Sequence, residues 1–228
     1  MNTIELCVFD MAGTTIDEGN LVYKTVRDAI NTRGYDVSLA SCLEHGGGKE
    51  KRQAIHDVLA GESAIDPEQL DDESDVIFAD FKERLAQGYD GNSVRAFSGI
   101  EDLFVRLRDN GIKVFLNTGY NRITAEKILG IVGWQVGRDI DGLVTADDVD
   151  NGRPAADMIL LAMDMAGVSD AQKVLKAGDS VIDIEEGQNA GCGLSIGVLT
   201  GAQDEAQLRR AQPDYVLEKL TDLANILL

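Results

Sequence analysis

From Ser98 to the C-terminus, short apolar runs alternate with segments patterned for helices, and few folds accept such an order. A helix over 99–110 leads to a strand at Lys113–Asn117 and a helix at Asn121–Gly130. Strand Gly142–Thr145 precedes helix Ala155–Ala166, and strand Val174–Ala177 precedes helix Asp183–Ala190. Strand Ser195–Leu199, a helix near Ala202–Ala211, strand Asp214–Leu217 and a terminal helix complete the series. A further strand-like run, Ile4 to Phe9, stands near the N-terminus. Strands joined by helices run parallel, with right-handed crossovers, so the expected fold is α/β: a doubly wound, mostly parallel sheet with helices on both faces.

Residues 18 to 90 break this alternation. Apolar residues recur at helical spacing from Leu21 to Ile30, and Gly34 stops that helix. Ser38–Leu43 and Lys49–Ala60 read as two more helices around the break His45-Gly46-Gly47-Gly48. Asp66-Pro67 starts one long acidic helix, or two in succession, reaching residue 89. No strand pattern interrupts them. The expected organisation is therefore an α/β core formed by 1–17 and 92–228, with an all-helical insertion over 18–91. Linkers are expected near Glu18-Gly19 and Gly91-Asn92-Ser93.

The polar residues collect at strand ends, where open α/β sheets bind ligands. The first strand runs into Asp10-Met11-Ala12-Gly13-Thr14-Thr15. Strand 113–117 runs into Thr118-Gly119-Tyr120, and the next is followed by Asp147-Asp148 and Gly152-Arg153-Pro154. Strand 174–177 ends in Gly178-Asp179-Ser180, with Asp183 at the head of a helix. Taken singly, each has a plain structural explanation as a cap, turn or surface charge. Taken together, Asp10, Thr118, Arg153 and Asp179 fall around one mouth of one sheet. Asp10 and Asp179 on neighbouring strands would repel without a cation between them, and Mg²⁺ takes such hard oxygen donors while keeping waters. A metal there would let Asp10 approach a phosphoryl group, with Thr118 and Arg153 as anchors. Attack in line would give an aspartyl-phosphate, which water then cleaves.

Composition narrows the partners. The formal net charge of −19 disfavours DNA, RNA and anionic lipid, whose binding relies on Lys and Arg. No apolar run approaches the roughly 20 residues of a membrane span. The first residues lack the basic and apolar regions of a signal peptide. Cys7, Cys42 and Cys192 are widely spaced, without a CxxC pair, which fits a reducing compartment. The expectation is a cytoplasmic protein acting on a small molecule.

Four ordered stretches, 10–15, 117–119, 153–154 and 178–183, resemble the motifs of the haloacid dehalogenase superfamily. The likeness covers essentially the whole chain, with 18–90 matching a helical cap. It implies Asp10 as nucleophile, Mg²⁺ held by Asp10, Asp179 and the Ala12 carbonyl, and Asp183 behind them. Phosphatases of this superfamily usually carry a second Asp where this chain has Ala12, and alanine cannot move a proton. Asp10-Met11-Ala12-Gly13-Thr14-Thr15 is similar to the phosphonatase (phosphonoacetaldehyde hydrolase) family, in which alanine is normal there. Thr118-Gly119-Tyr120, Gly152-Arg153-Pro154 and Glu186-Gly187-Gln188-Asn189-Ala190-Gly191 also match that family.

A cap lysine in that family forms a Schiff base with the substrate aldehyde. Setting Gly48 on the family's glycine places Lys51 at that lysine, with Lys49 as the fallback. Gly47, Ala54 and Asn20 replace the family's methionine, histidine and cysteine, and His56 falls on another helix face. The resemblance implies Mg²⁺-dependent P–C cleavage of phosphonoacetaldehyde or a related phosphono-carbonyl compound. It places Ala12, Gly13, Thr118, Gly119, Tyr120 and Arg153 against the substrate, and implies a homodimer paired through the cap. The alternatives are a slow phosphatase for small esters and a catalytically silent phospho-ligand binder.

Overall fold

A computed structural model describes residues 3–47, 49–62, 65–89 and 94–228. Strand β1 (Leu6–Asp10) is buried along its whole length, as an apolar run in a parallel sheet should be. It is followed by the two-residue strand β2 (Ile16–Asp17) and by helices α1 (Leu21–Thr32), α2 (Leu39–Gly46), α3 (Lys51–Gly61) and α4 (Leu70–Gly88). Strand β3 (Arg95–Ala96) pairs antiparallel with β2, so the helical insertion leaves and returns through one short ribbon. The sequence pattern does not show this ribbon, because two residues are too few to display alternation. Gly48 and the expected linker 91–93 lie outside the described residues.

The alternation then proceeds as α5 (Ile100–Asp109), β4 (Lys113–Thr118), α6 (Arg122–Val132), β5 (Gly142–Thr145), α7 (Asp157–Ala166), β6 (Val174–Gly178), α8 (Val181–Asn189) and β7 (Leu194–Val198). Helix α9 (Glu205–Leu208), β8 (Tyr215–Leu217) and α10 (Ala224–Leu227) follow. The helix expected over 202–211 is shorter: Asp204 caps α9 through the Gln207 amide, and Arg209–Ala211 tightens into a 3-10 turn. The six-stranded parallel sheet has the order β5-β4-β1-β6-β7-β8. Chain order reverses direction across the sheet at β1, which is where a doubly wound sheet opens a crevice at its carboxyl edge.

Both sheet faces are covered. One apolar cluster joins Leu6, Val8, Phe115 and Val144 to Met158, Ile159 and Ala162 of α7. On the other face, Phe9 stacks on Phe104 of α5, which packs edge-on against Trp134. This second cluster continues through Met11 and Ile16 into Val26 and Ile30 of α1, Ile55 and Leu59 of α3, and Ile77 and Phe81 of α4. The helical insertion therefore shares buried apolar surface with the sheet. No helix among the described residues is long and apolar enough to cross a membrane.

Candidate active site

β1 ends in Asp10 because the chain turns sharply there. The amides of Thr15 and Ile16 both donate to the Met11 carbonyl, and the Thr15 hydroxyl donates to the Asp10 carbonyl at 3.0 Å. Gly13 adopts φ +85°, and a Cβ at this position would stand 2.6 Å from Asp179 Oδ2. Only glycine suits both the backbone and the close approach. Gly201 closes the other side, where a Cβ would fall 2.0 Å from the same oxygen. The Asp179 carboxylate thus sits in a cradle of two glycines, fixed by a hydrogen bond from the Ala202 amide at 2.5 Å.

β1 and β6 are hydrogen-bonded neighbours, with Phe9 opposite Ala177, so Asp10 and Asp179 emerge side by side. One small cavity, about 40 Å³ in volume, is lined by Asp10, Ala12, Thr118, Gly119, Tyr120, Arg153, Asp179 and Asp183. Its remaining walls are Glu18, Val22, Tyr23 and Lys51, all from the helical insertion or its entry. The structure therefore gathers nine of the ten residues singled out in the sequence around one space, and Gly13 lies just beneath it as the support of Asp179. Lys51 belongs to this group, whereas the alternative Lys49 is turned aside to pair with Asp57.

Arg153 does more than line the cavity. Its guanidinium donates to Asp10 Oδ1 at 2.7 Å and to the Asn117 carbonyl and Oδ1, both at 2.8 Å. It lies 2.9 Å from Asp183 and 3.2 Å from Glu186, with its side chain 5% exposed. Lys176, fully buried on β6, stands 3.0 Å from both Asp183 and Glu186 and donates to Asn117 Oδ1 at 2.6 Å. Asn117 donates in turn to Glu186 Oε1, and Ser180 to Asp183 Oδ2. Several of these close contacts lie off the hydrogen-bond line and act as ion pairs. The sequence reading assigned no role to Lys176, Asn117 or Glu186. A lysine inside an otherwise apolar strand run was the available signal for the first of them.

Charge sets the protonation of the site. Burial pushes Asp10 up, while Arg153 pulls it back and Asp183 adds repulsion. Burial also drives Asp179 well above the ordinary carboxylate range, and Asp10 and Asp183 push it further. Burial opposes ionisation of Asp183 too, but Arg153 and Lys176 outweigh it and hold that group low. Four buried carboxylates, Asp10, Asp179, Asp183 and Glu186, thus face two buried cations, Arg153 and Lys176. The surplus of negative charge lies between Asp10 and Asp179. The Asp10 and Asp179 carboxylates line one cavity with Ala12, whose oxygen donor is its backbone carbonyl, and such a hard-oxygen set fits a divalent cation of the magnesium type. No cluster of three or more His, Cys, Asp or Glu side chains stands ready for a metal among the described residues.

Lys51 is the first residue of α3. The Glu50 carboxylate caps that helix by accepting from the Arg52 and Gln53 amides at 2.9 and 3.0 Å. Helical side chains lean toward the N-terminus, which sends Lys51 off the end of α3 into the cavity. Its ammonium donates to the Lys49 carbonyl at 2.6 Å and lies 5.2 Å from the centre of the Tyr23 ring. Burial lowers its pKa, with Arg153 adding to the effect and Asp10 opposing it. Ala54, buried one turn on, offers no proton-transfer group, and His56 points to Asp57 and Asp71 instead. Asn20 caps α1 in the left-handed region, at φ 57°.

Known proteins resemble this arrangement. The sequence profile of the haloacid dehalogenase-like hydrolases matches residues 4–191. A phosphonoacetaldehyde hydrolase of Bacillus cereus is 30% identical over 208 residues, covering 88% of this chain and 78% of that protein. The crystal structure of a phosphonoacetaldehyde hydrolase-like protein from Oleispira antarctica superposes with a TM-score of 0.82 at 25% identity, covering 99% and 92% of the two chains. A haloacid dehalogenase-like hydrolase of Streptococcus pneumoniae shares the fold throughout, with a TM-score of 0.77 at 18% identity and full coverage of both chains.

Proposed function

Because the chain belongs to the haloacid dehalogenase-like hydrolases and is phosphonatase-like within them, we propose that it hydrolyses the P–C bond of phosphonoacetaldehyde or a closely related phosphono-carbonyl compound. One observation carries this proposal. The amine of Lys51 faces the same small cavity as Asp10, while the position two residues after Asp10 is Ala12, which has no proton to give. An alkyl phosphate ester such as a sugar phosphate needs its leaving oxygen protonated. A P–C bond needs an electron sink on carbon.

The chain's residues supply that sink and the attack. Lys51 would condense with the aldehyde, placing a positive nitrogen two bonds from the carbon that bears phosphorus. Asp10, held through Oδ1 by Arg153, would attack phosphorus. The P–C electrons then pass to carbon and on to the iminium nitrogen, giving an enamine on Lys51 and phosphate on Asp10. Thr118 would donate to a phosphonate oxygen, and Arg153 would keep the attacking carboxylate aligned. The enamine carbon takes a proton from water to restore the iminium, and water then releases phosphate from Asp10 and acetaldehyde from Lys51. Asp10, the Ala12 carbonyl and Asp179 would hold Mg²⁺, which supplies the charge neutralisation that lets an anionic carboxylate approach an anionic phosphonate.

Incubation with phosphonoacetaldehyde and Mg²⁺ should release phosphate and acetaldehyde in equal amounts. Rapid turnover of sugar phosphates or p-nitrophenyl phosphate, with no acetaldehyde from the phosphonate, would instead identify a small-molecule phosphatase. Binding of phosphate without turnover of any of these compounds would identify a silent binder.

A further inference from the structure

The condensation needs a group to take a proton from the Lys51 ammonium and later deliver one to the departing hydroxyl. Neither histidine reaches the cavity: His56 faces Asp57 and Asp71, and His45 lies against Gly61. Among the cavity's titratable side chains, Asp10 and Asp179 face the phosphorus and metal positions, while Asp183 and Arg153 are tied into the buried ion pairs. Tyr120 is held well above an ordinary phenol by burial. Tyr23 turns its ring face toward the Lys51 ammonium, 5.2 Å from the ring centre, which leaves Glu18, in the same cavity as Lys51.

Glu18 is 5% exposed, and the positive charge of Lys51 favours its ionised form. Its Oε2 accepts from the Val22 amide at 3.0 Å, which fixes the carboxyl at the entry to α1. The groups facing it are its neighbour Asp17, Lys51 from α3, and the phenols of Tyr89 and Tyr120, which donate one to the other at 2.9 Å. Burial pushes Glu18 up to about 7, with the Val22 amide and Lys51 pulling the other way. A carboxyl balanced near neutrality can both accept and donate.

We propose that Glu18 is the proton carrier for Lys51, a role that rests on the P–C cleavage proposed above. Glu18 takes one proton from the Lys51 ammonium, leaving a free amine. The amine nitrogen bonds to the aldehyde carbon, and a proton shift within the adduct gives the neutral carbinolamine. Glu18 returns its proton to the hydroxyl, the C–O bond breaks, and water departs. The nitrogen lone pair closes the C=N bond. The products are the protonated imine, water and the Glu18 carboxylate, so charge and protons balance.

Rapid mixing with phosphonoacetaldehyde, quenched with borohydride at timed intervals, reads imine formation separately from phosphate release. In the wild type, imine formation should rise with pH through an acid limb near neutrality. Glu18→Gln keeps an acceptor for the Val22 amide but cannot carry the proton; it should slow adduct formation about 10²-fold or more and replace the limb near neutrality by one set by Lys51 alone. Glu18→Asp should restore part of the rate and a displaced limb. A capping role alone would lower the melting temperature and leave the pH profile in place. A wild-type rate that is flat with pH, or Glu18→Gln forming the adduct at the wild-type rate, overturns the proposal. If the wild type forms neither adduct nor acetaldehyde, P–C cleavage itself fails, and this role with it.

Discussion

Arg153 and Lys176 hold Asp10, Asp183 and Glu186 in one largely buried ion-pair network, and removing one partner leaves buried charge without compensation. Lys176→Met should therefore cost about 3–5 kcal/mol, read as a lowered urea midpoint, although Lys176 touches no substrate. Glu18 behaves in the opposite way. Its folded pKa of about 7 lies above the ordinary 4.5, so the folded state grips the proton and the contribution to stability is full below 4.5. That contribution is lost as pH rises through 7. Glu18→Gln should melt higher than the wild type at pH 8 and at the same temperature near pH 4.5, by calorimetry. Ala12→Asp should raise turnover of p-nitrophenyl phosphate, general acid–base help being worth roughly 10²–10⁴-fold. Unchanged ester hydrolysis would detach Ala12 from the choice of reaction. Asp10, Thr118, Arg153 and Asp179 were legible in the sequence because strand-end polar residues have a known meaning. Glu18 was not, because it reads as part of a linker, and its burial comes from the fold of α1 over it.

Elements place these residues, and the pairing of β1 with β6 matters most. It sets Asp10 beside Asp179, and the cradle of Gly13 and Gly201 makes the approach possible. Gly13→Ala should lose most activity and raise the Mg²⁺ concentration needed, while the far-ultraviolet dichroism stays native. Wild-type Mg²⁺ dependence in this variant would remove the cradle from the account. Helix α3 carries Lys51 and is anchored by Ala54, Ile55, Val58 and Leu59. Helices and sheet strands were legible from periodicity and from a stop signal such as Gly34, while Ser38, Asn121 and Gly133 proved to be caps that the sequence pattern had not marked. Strand order was not, since hydrophobic period says which face a residue takes and nothing about which strand lies alongside. The β2–β3 ribbon is shorter than any period.

Across the molecule, the apolar cluster that begins on the sheet runs without interruption into α1, α3 and α4, so the lysine and the nucleophile are held by one continuous packing. The charge surplus between Asp10 and Asp179 predicts that Mg²⁺ raises the melting temperature in a saturable way, and that Asp179→Asn, which removes the repulsion, abolishes that response. An unchanged response in Asp179→Asn would place the metal elsewhere. The phosphonatase-like chemistry rests most directly on Lys51. Borohydride added with phosphonoacetaldehyde, followed by peptide mass mapping, should find one reduced adduct on Lys51, and Lys51→Arg should lose both the adduct and acetaldehyde release. An adduct on Lys49, or full P–C cleavage by Lys51→Arg, would contradict it.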